Sequence, residues 1–444
     1  MNTPIWDFVR SYAQRDTLRL HMPGHKGQGP LGVEARDITE IEGADSLFEA
    51  CGIIAQSEKN ASDLFGCPTL YSTEGSSLAL RAMLHLACLW AREEGREPCI
   101  AAAPNAHKTF LSAAALLDFA LEWLPVSRRT LLSCTVDPAE TEDFLTSHPY
   151  VTALYVTSPD YLGNRVDLKG LAEVCHRRGV LLLCDNAHGA YLKFLSPSLH
   201  PMDLGADLCC DSAHKTLPVL TGGAYLHLAR HLPPSLVGQA KNALALFAST
   251  SPSYLILLSL DRVNGLCAEG FSEALRKGEK AVTELKKKLS AAGFSFLGDE
   301  PMKLTLATKS YGYLGTEVAK YLEEKGIVCE FADPDFTVMM FSPLQAKEAC
   351  AGLQTALSAL PKRAPIAECP PALPAGETVM NPRSAMLAPS EEAPLAECIG
   401  RVLAAPSVSC PPAVPPLVCG QRISEEAAAV FRYYGIGALR VIKE

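Results

Sequence analysis

Between Ser57 and Leu228, short apolar runs alternate with stretches whose apolar residues recur at helical spacing. That alternation predicts βα units on a largely parallel sheet. The predicted strands are CIAAA (99–103), ALEWLPV (120–126), VTALYVT (151–157), VLLLC (180–184), DLCCD (207–211) and GAYLHL (223–228). Most are continuously apolar, as strands covered on both faces tend to be. Between them SLALRAMLHLACLWAREEG (77–95), HKTFLSAAALLD (107–118) and LKGLAEVCHRRG (168–179) read as helices, the first stopped by Gly95.

After Ser251 the pattern changes. A long helical stretch over 254–292 leads to KLTLATK (303–309), a helix over 315–326, IVCEFA (327–332), TVMMFS (337–342) and a helix to Leu360. This predicts a second, smaller α/β domain joined by a long helix. From Pro361 to Pro416 the chain holds 13 of its 32 prolines, so loops with short elements are expected there. Helical patterns in SEEAPLAECIGRVL (390–403) and SEEAAAVFRYYG (424–435) favour an ordered extension over a disordered linker. The expected organisation is an N-terminal arm (1–56), a large domain (57–265) and a C-terminal domain (266–444).

Composition narrows the class. With 48% hydrophobic and 20% charged residues, the 444-residue chain reads as globular rather than disordered. Its 40 basic and 49 acidic residues leave −9, which gives a nucleic-acid partner no support. The sixteen cysteines show no C-x-x-C pair, and so long a chain is no small disulfide scaffold. Free thiols in a reducing cytoplasm are expected. MNTPIWDFVRSYAQRD lacks an apolar signal core, and no run approaches a membrane span. The reading is a cytoplasmic enzyme with no membrane partner.

Four segments could carry chemistry, and each has a plain alternative. In DSAHKTLPVLTGG (211–223), Lys215 sits among Ser212, His214 and Thr216 just beyond a strand. It is either solvated decoration or a lysine pointing into the crevice where ligands collect in α/β sheets. In VLLLCDNAHGAY (180–191), Asp185 ends the most apolar strand, with His188 and Gly189 in the following turn. Asp185 is either a helix cap or a buried carboxylate facing a cationic heteroaromatic nitrogen. In STEGSSLALRAM (72–83), Gly75, Ser76 and Ser77 form either an ordinary helix start or an anion site. His107 in PNAHKTF (104–110) is structural or catalytic. Pyridoxal phosphate explains all four together. It requires a lysine for an imine, an acid for the pyridine nitrogen and a helix end for the phosphate. No compact ligand set has metal-site spacing, so a metal hydrolase built on Asp185, His188 and His214 is disfavoured and no metal is expected.

These segments resemble the ornithine/lysine/arginine decarboxylase family, pyridoxal-phosphate enzymes of the aspartate-aminotransferase fold (fold type I). The resemblance runs through LHMPGHKG (20–27), residues 37–66, STEGSS, NAHKTFLSAAALLD, TSPDYLG (157–163), DNAHGAY, DSAHKTLPVLTGGAYLH and STSPSYLILLSLD (249–261). It continues in MNPRSAM (380–386), IGRV (399–402) and PPAVPPLVCGQ (411–421). It implies an α/β fold with a mainly parallel central sheet and a smaller C-terminal α/β domain. It also implies that Lys215 forms the imine, Asp185 pairs with the pyridine nitrogen and His107 stacks on the ring. Gly75, Ser76, Ser77, Ser212 and His214 then surround the phosphate, and His188 lies beside the substrate. Ser249 and Thr250 approach the phosphate of a neighbouring subunit, implying a homodimer with active sites at the interface.

The implied reaction is decarboxylation of arginine, lysine or ornithine to a polyamine-type amine and CO₂, with Lys215, His188 or His214 returning a proton to Cα. Pro104 replaces the family's usual arginine, and Ser409, Cys410, Pro411, Pro412, Ala413, Val414 and Pro415 replace its Pro-Tyr-Pro-Pro-Gly-Ile/Val-Pro pattern. These departures bear on substrate identity more than on cofactor binding. The N-terminal wing domain of long members is missing, so their decamers are not expected. Glu391, Glu392 and Glu397 are candidates for the substrate's distal cation, or else solvated helix faces. An aminotransferase, an aldol-type lyase and a catalytically inactive cofactor-binding protein are the competing readings. The SAHKT, PGHKG and STSPSY segments favour a decarboxylase.

Overall fold

A computed structural model describes residues 1–125, 131, 134–405 and 414–443. Val126 of one predicted strand lies outside the described residues, as do Ser409, Cys410, Pro411, Pro412 and Ala413 of the C-terminal motif. The chain forms two compact units: Met1–Ile100 with His148–Tyr155 and Leu168–Ser272, and Ala101–Ser147 with Val156–Asp167 and Glu273–Glu444.

The strands of the N-terminal half of the chain are β1 (Thr69–Ser72), β2 (Cys99–Ala102), β3 (Ala120–Trp123), β4 (Ala153–Thr157), β5 (Leu181–Asp185), β6 (Leu208–Asp211) and β7 (Ala224–Leu228). Within the first unit the sheet order is β1-β7-β6-β5-β4. Strands β5 and β6 are parallel, with Leu183 opposite Leu208, whereas β7 runs antiparallel to both β6 and β1. Every residue of β5, β6 and β7 is buried, which is why their sequences carry no polar alternation. The short β1 went unpredicted. Its TLYS sequence has no apolar run, and it is held by pairing Tyr71 with Tyr225.

Helices α1 (Pro4–Ala13), α2 (Ile53–Phe65) and α3 (Gly75–Glu93) belong to the same unit. Helix α3 starts directly after β1 and buries ten residues, from Leu78 to Ala91, so its amino end is fixed at the sheet's edge. The helix expected over 254–292 is interrupted. Tyr254–Leu266 is helical and Ser272–Ala291 is helical, but Glu269 and Gly270 leave helical geometry, Gly270 with φ +104°. Glycine reaches that φ without the Cβ penalty other residues carry.

The second unit contains β8 (Ser295–Leu297), β9 (Lys303–Ala307), β10 (Phe331–Ala332) and β11 (Phe336–Met340) in the order β10-β11-β9-β8, all antiparallel. The strand expected over 327–332 is thus only its last two residues. The Pro-rich extension is ordered around β12 (Glu377–Thr378), β13 (Ser390–Pro394), β14 (Gln421–Arg422) and β15 (Ala438–Ile442). The helix expected over 390–403 is a misreading. Residues 390–394 form a strand antiparallel to β15, and Leu403 bridges Val441. Pro394 has no N–H to continue a helical ladder, and Ala393 faces a core of Leu395, Leu403, Ile423, Phe431 and Val441. The helix over 424–435 forms at Glu425–Tyr433, capped by Ser424. Every described cysteine is a free thiol, and no described helix is long and apolar enough to cross a membrane.

Candidate active site

Strand β5 delivers Asp185 to its carboxyl end, where the residue is 3% exposed. Tyr155 on β4 donates its hydroxyl to Asp185 Oδ2 at 2.8 Å, and Ala187 N donates to Oδ1 at 3.2 Å. Cys210 Sγ lies 3.8 Å from Oδ1, and burial together with the two neighbouring aspartates keeps its thiol protonated well above the usual range. The plain alternative, a cap for a following helix, does not describe this carboxylate. Its second oxygen is committed to a tyrosine from another strand.

Strand β6 delivers the lysine. Ser212 begins a short helix, Ala213–Thr216, and Lys215 Nζ lies 3.1 Å from His188 Nε2 in the turn after β5. An ammonium has only protons to give, so a charged Lys215 donates to an unprotonated Nε2. His214 is oriented by its own Nδ1–H, which donates to Gly223 O at 2.9 Å and leaves Nε2 as the acceptor. The hydroxyl of Thr216, next to Lys215, is buried without a hydrogen-bond partner.

The third element is the turn into α3. Gly75 has φ +72°, and a Cβ there meets nothing within 4 Å, so open space lies over the first turn of the helix. Ser212 Oγ donates to Ser76 Oγ at 2.7 Å, joining the lysine turn to the helix start. Gly75 N donates to Gly222 O at 2.7 Å. A Cβ on Gly222 would stand 2.9 Å from Thr73 O, which explains why the TGG turn carries glycine there. Ser249 N donates to Glu74 Oε1 at 2.8 Å, placing the STSPSY segment beside the same turn, with Ser249 and Thr250 exposed.

Beneath these groups lies a network that the sequence did not reveal. Asp211, with no exposed surface, accepts from His200 Nε2 at 3.0 Å, His227 Nε2 at 3.1 Å and Asn186 Nδ2 at 2.7 Å. Burial by itself would raise the Asp211 pKa, but the two imidazoles outweigh it and hold the carboxyl well below the usual range. Burial likewise opposes the charge on His227, and Asp211 more than offsets it, raising the imidazole above its ordinary value. Asn186 and Asp211 follow Asp185 and precede Ser212, so this network ties the ends of β5 and β6 together. Tyr155 could have been found by its central place in VTALYVT. His200 carried no local signal.

The structure therefore brings Lys215, Asp185, His188, His214, Ser212, Gly75, Ser76, Ser77 and Ser249–Thr250 into one unit, at the ends of β1, β5 and β6. His107 belongs to the other unit, where it caps the helix Lys108–Leu117 by accepting from Thr109 N, with Pro104 buried just upstream. Glu391, Glu392 and Glu397 are exposed. The first two lie on β13 rather than a helix, and Glu391 pairs with Arg401 at 2.6 Å. The donor set of the first unit fits pyridoxal phosphate: an amine for the aldehyde, a buried carboxylate for the ring nitrogen, and serine hydroxyls at a helix start for the phosphate.

Comparison with known proteins agrees with that fit. The family profile described as "Orn/Lys/Arg decarboxylase, major domain" matches residues 3–295. The arginine decarboxylase of Bacillus subtilis (strain 168) is 28% identical over 459 residues, covering 96% of this chain and 92% of that protein. The arginine decarboxylase of Halalkalibacterium halodurans is 28% identical over 465 residues, covering 97% and 93%. Among solved structures, the Francisella novicida lysine decarboxylase superposes with a TM-score of 0.80 at 16% identity, over 99% of this chain and 81% of that one. The E. coli constitutive lysine decarboxylase gives 0.79 at 17%, over 100% and 82%. At such identities the structural likeness shows the fold, an α/β fold of type I with a mainly parallel central sheet.

Proposed function

The chain belongs to the Orn/Lys/Arg decarboxylase family and is a pyridoxal-phosphate-dependent decarboxylase of a basic amino acid, and from that premise we propose that its substrate is arginine and its product agmatine. Two relatives matching nearly the whole chain at 28% identity carry the name arginine decarboxylase, which favours arginine over lysine and ornithine. The observation that carries the site assignment is the 3.1 Å approach of Lys215 Nζ to His188 Nε2, at the strand ends that also present the buried Asp185.

Bound pyridoxal phosphate supplies an electron-withdrawing ring that takes up the electron pair left when CO₂ departs. Lys215 would hold the cofactor's aldehyde through its amine. Asp185, oriented by Tyr155, keeps a proton on the ring nitrogen. Ser76, Ser77 and Ser212 at the start of α3 would bind the phosphate, with His214 held beside them by Gly223. Either Lys215 or His188 returns the proton to Cα, since the two share a hydrogen bond along which a proton can pass from one to the other. The working form is a cytoplasmic homodimer in which Ser249 and Thr250 serve the neighbouring subunit's phosphate.

The test is a product screen of the purified holoenzyme with arginine, lysine and ornithine, combined with borohydride trapping and peptide mapping. Agmatine and CO₂ formation from arginine, with the reduced tag on Lys215, is the expected result. Faster turnover of lysine or ornithine overturns the substrate assignment, and a tag elsewhere overturns the site. Lys215→Ala should abolish turnover, and Asp185→Ala should weaken both cofactor retention and rate.

A further inference from the structure

At the opposite end of β6 from Lys215, three side chains from separate segments converge. His176 stands in the last turn of the helix Leu168–Arg177, Asp207 immediately precedes β6, and His231 lies in the turn after β7. His231 Nε2 is 2.7 Å from Asp207 Oδ1, and His176 Nε2 is 3.2 Å from the same oxygen. The three ligating atoms all lie within 4.8 Å of one another. The two imidazole rings face each other edge to face, 5.7 Å apart at 78°.

The carboxylate is rigidly placed. Asp207 is 1% exposed, and its backbone pairs with Leu182 O and Ala229 N. Leu182 N donates to Oδ2 at 2.7 Å, which fixes the carboxylate, and His176 Nε2 stands 3.2 Å from Oδ2 as well as from Oδ1. The imidazoles are open to solvent, His176 at 42% and His231 at 61%. Two imidazole nitrogens and one carboxylate oxygen in a fixed, solvent-open cluster match the donors that borderline divalent metals choose. Around a zinc ion with bonds of about 2.1 Å, tetrahedral ligand atoms stand roughly 3.4 Å apart, so modest side-chain movement would open the 2.7 and 3.2 Å contacts to that spacing. The helix carboxyl terminus beside His176 adds partial negative charge that favours a cation.

We propose that His176, Asp207 and His231 form a peripheral binding site for a divalent transition metal such as Zn²⁺, with water completing the coordination. The site is separate from the decarboxylase centre, because β6 lies between Asp207 and the Lys215 turn. Its ligands are 31 and 24 residues from Asp207, which is why no motif spacing announces it. Bound metal ties the helix end to the starts of β6 and the β7 turn, so its effect is on the stability of this edge of the sheet.

The experiment compares pyridoxal-phosphate-loaded wild type with His231→Ala and His176→Gln, each stripped with chelator and then dialysed against ZnCl₂. Wild type should retain one zinc per chain more than either variant, whatever binds at exposed thiols such as Cys51 and Cys369. Its melting temperature should rise by about 3 °C at a hundredfold excess over Kd, and neither variant should show that rise. Both substitutions are at solvent-open side chains, and their unchanged cofactor absorbance and decarboxylase rate without zinc report an intact fold. Equal zinc content and equal thermal shifts in all three proteins overturn the proposal and leave the cluster as ion pairs.

Discussion

Asp185 reaches its position through one neighbour in particular, Tyr155, whose hydroxyl is committed to Oδ2 at 2.8 Å. Tyr155→Phe removes a donor to a buried carboxylate and costs on the order of 1–3 kcal/mol. If Asp185 holds the ring nitrogen, much of that loss appears as weaker cofactor binding, about tenfold for each 1.4 kcal/mol. Cofactor titration of the apo-protein measures it, and unchanged affinity would separate Tyr155 from the site. Asp211 presents a different case, since it touches no reacting group and fixes the turn that carries Lys215. Asp211→Asn breaks a buried pair with two imidazoles and should lower stability by about 3–5 kcal/mol. The pH dependence follows from the shifts. The Asp211 carboxyl is depressed, so its contribution is present above the unfolded value near 3.8 and fades as pH falls through the lower folded value. The His227 imidazole is raised, so its contribution is complete below 6.5 and fades as pH rises through the folded value. The stability gap between wild type and Asp211→Asn should therefore be widest between about pH 4 and 6.5, and narrow on both sides, in urea titrations across pH.

Among the secondary-structure elements, Gly270 is the clearest local determinant. It sits where the helix Tyr254–Leu266 gives way to Ser272–Ala291, at φ +104° with open space around a would-be Cβ. Gly270→Ala meets no clash, so its cost is the left-handed backbone alone, about 1–2 kcal/mol in thermal or denaturant unfolding. A β-branched Val there should cost more than Ala. This break was hidden in the sequence because helical periodicity continues on both sides and one glycine is tolerated within a helix. By contrast β5, β6 and β7 were legible, since strands covered on both faces must be apolar at every position and so stand out in any window. β1 was not, because four residues with three hydroxyls have no pattern to show. Residues 390–394 misled in the other direction: Ser-Glu-Glu-Ala has helical propensity, and only the partner strand Ala438–Ile442, more than forty residues away, makes it extended. The candidate site divided along the same line. Lys215, Asp185 and Ser76 lie at the ends of readable strands and helices, whereas Tyr155, His200 and His227 take their meaning from contacts that only the folded sheet creates.

For the whole molecule, the question the site raises is whether one chain completes it. Ser249 and Thr250 are exposed in the single chain, yet Ser249 N is already anchored on Glu74, one residue before the open turn at Gly75. That anchor holds the segment by its backbone and leaves the two hydroxyl side chains at the surface, where a second subunit can meet them. In the proposed dimer, two-fold symmetry would have each chain give its hydroxyls to the other's phosphate and receive the same in return. Complementation tests this directly. Lys215→Ala chains lack the amine but keep Ser249 and Thr250, and chains with Ser249→Ala and Thr250→Ala keep the amine. When the two inactive or impaired proteins exchange subunits, half of the dimers are mixed and each mixed dimer contains one intact site. Activity should then rise to about a quarter of wild type. If instead each site draws only on its own chain, every Lys215→Ala site stays dead and every hydroxyl-deficient site stays impaired, so mixing yields no gain. The absence of a gain, with subunit exchange verified by differently tagged chains, would place both hydroxyls in the service of their own Gly75 turn.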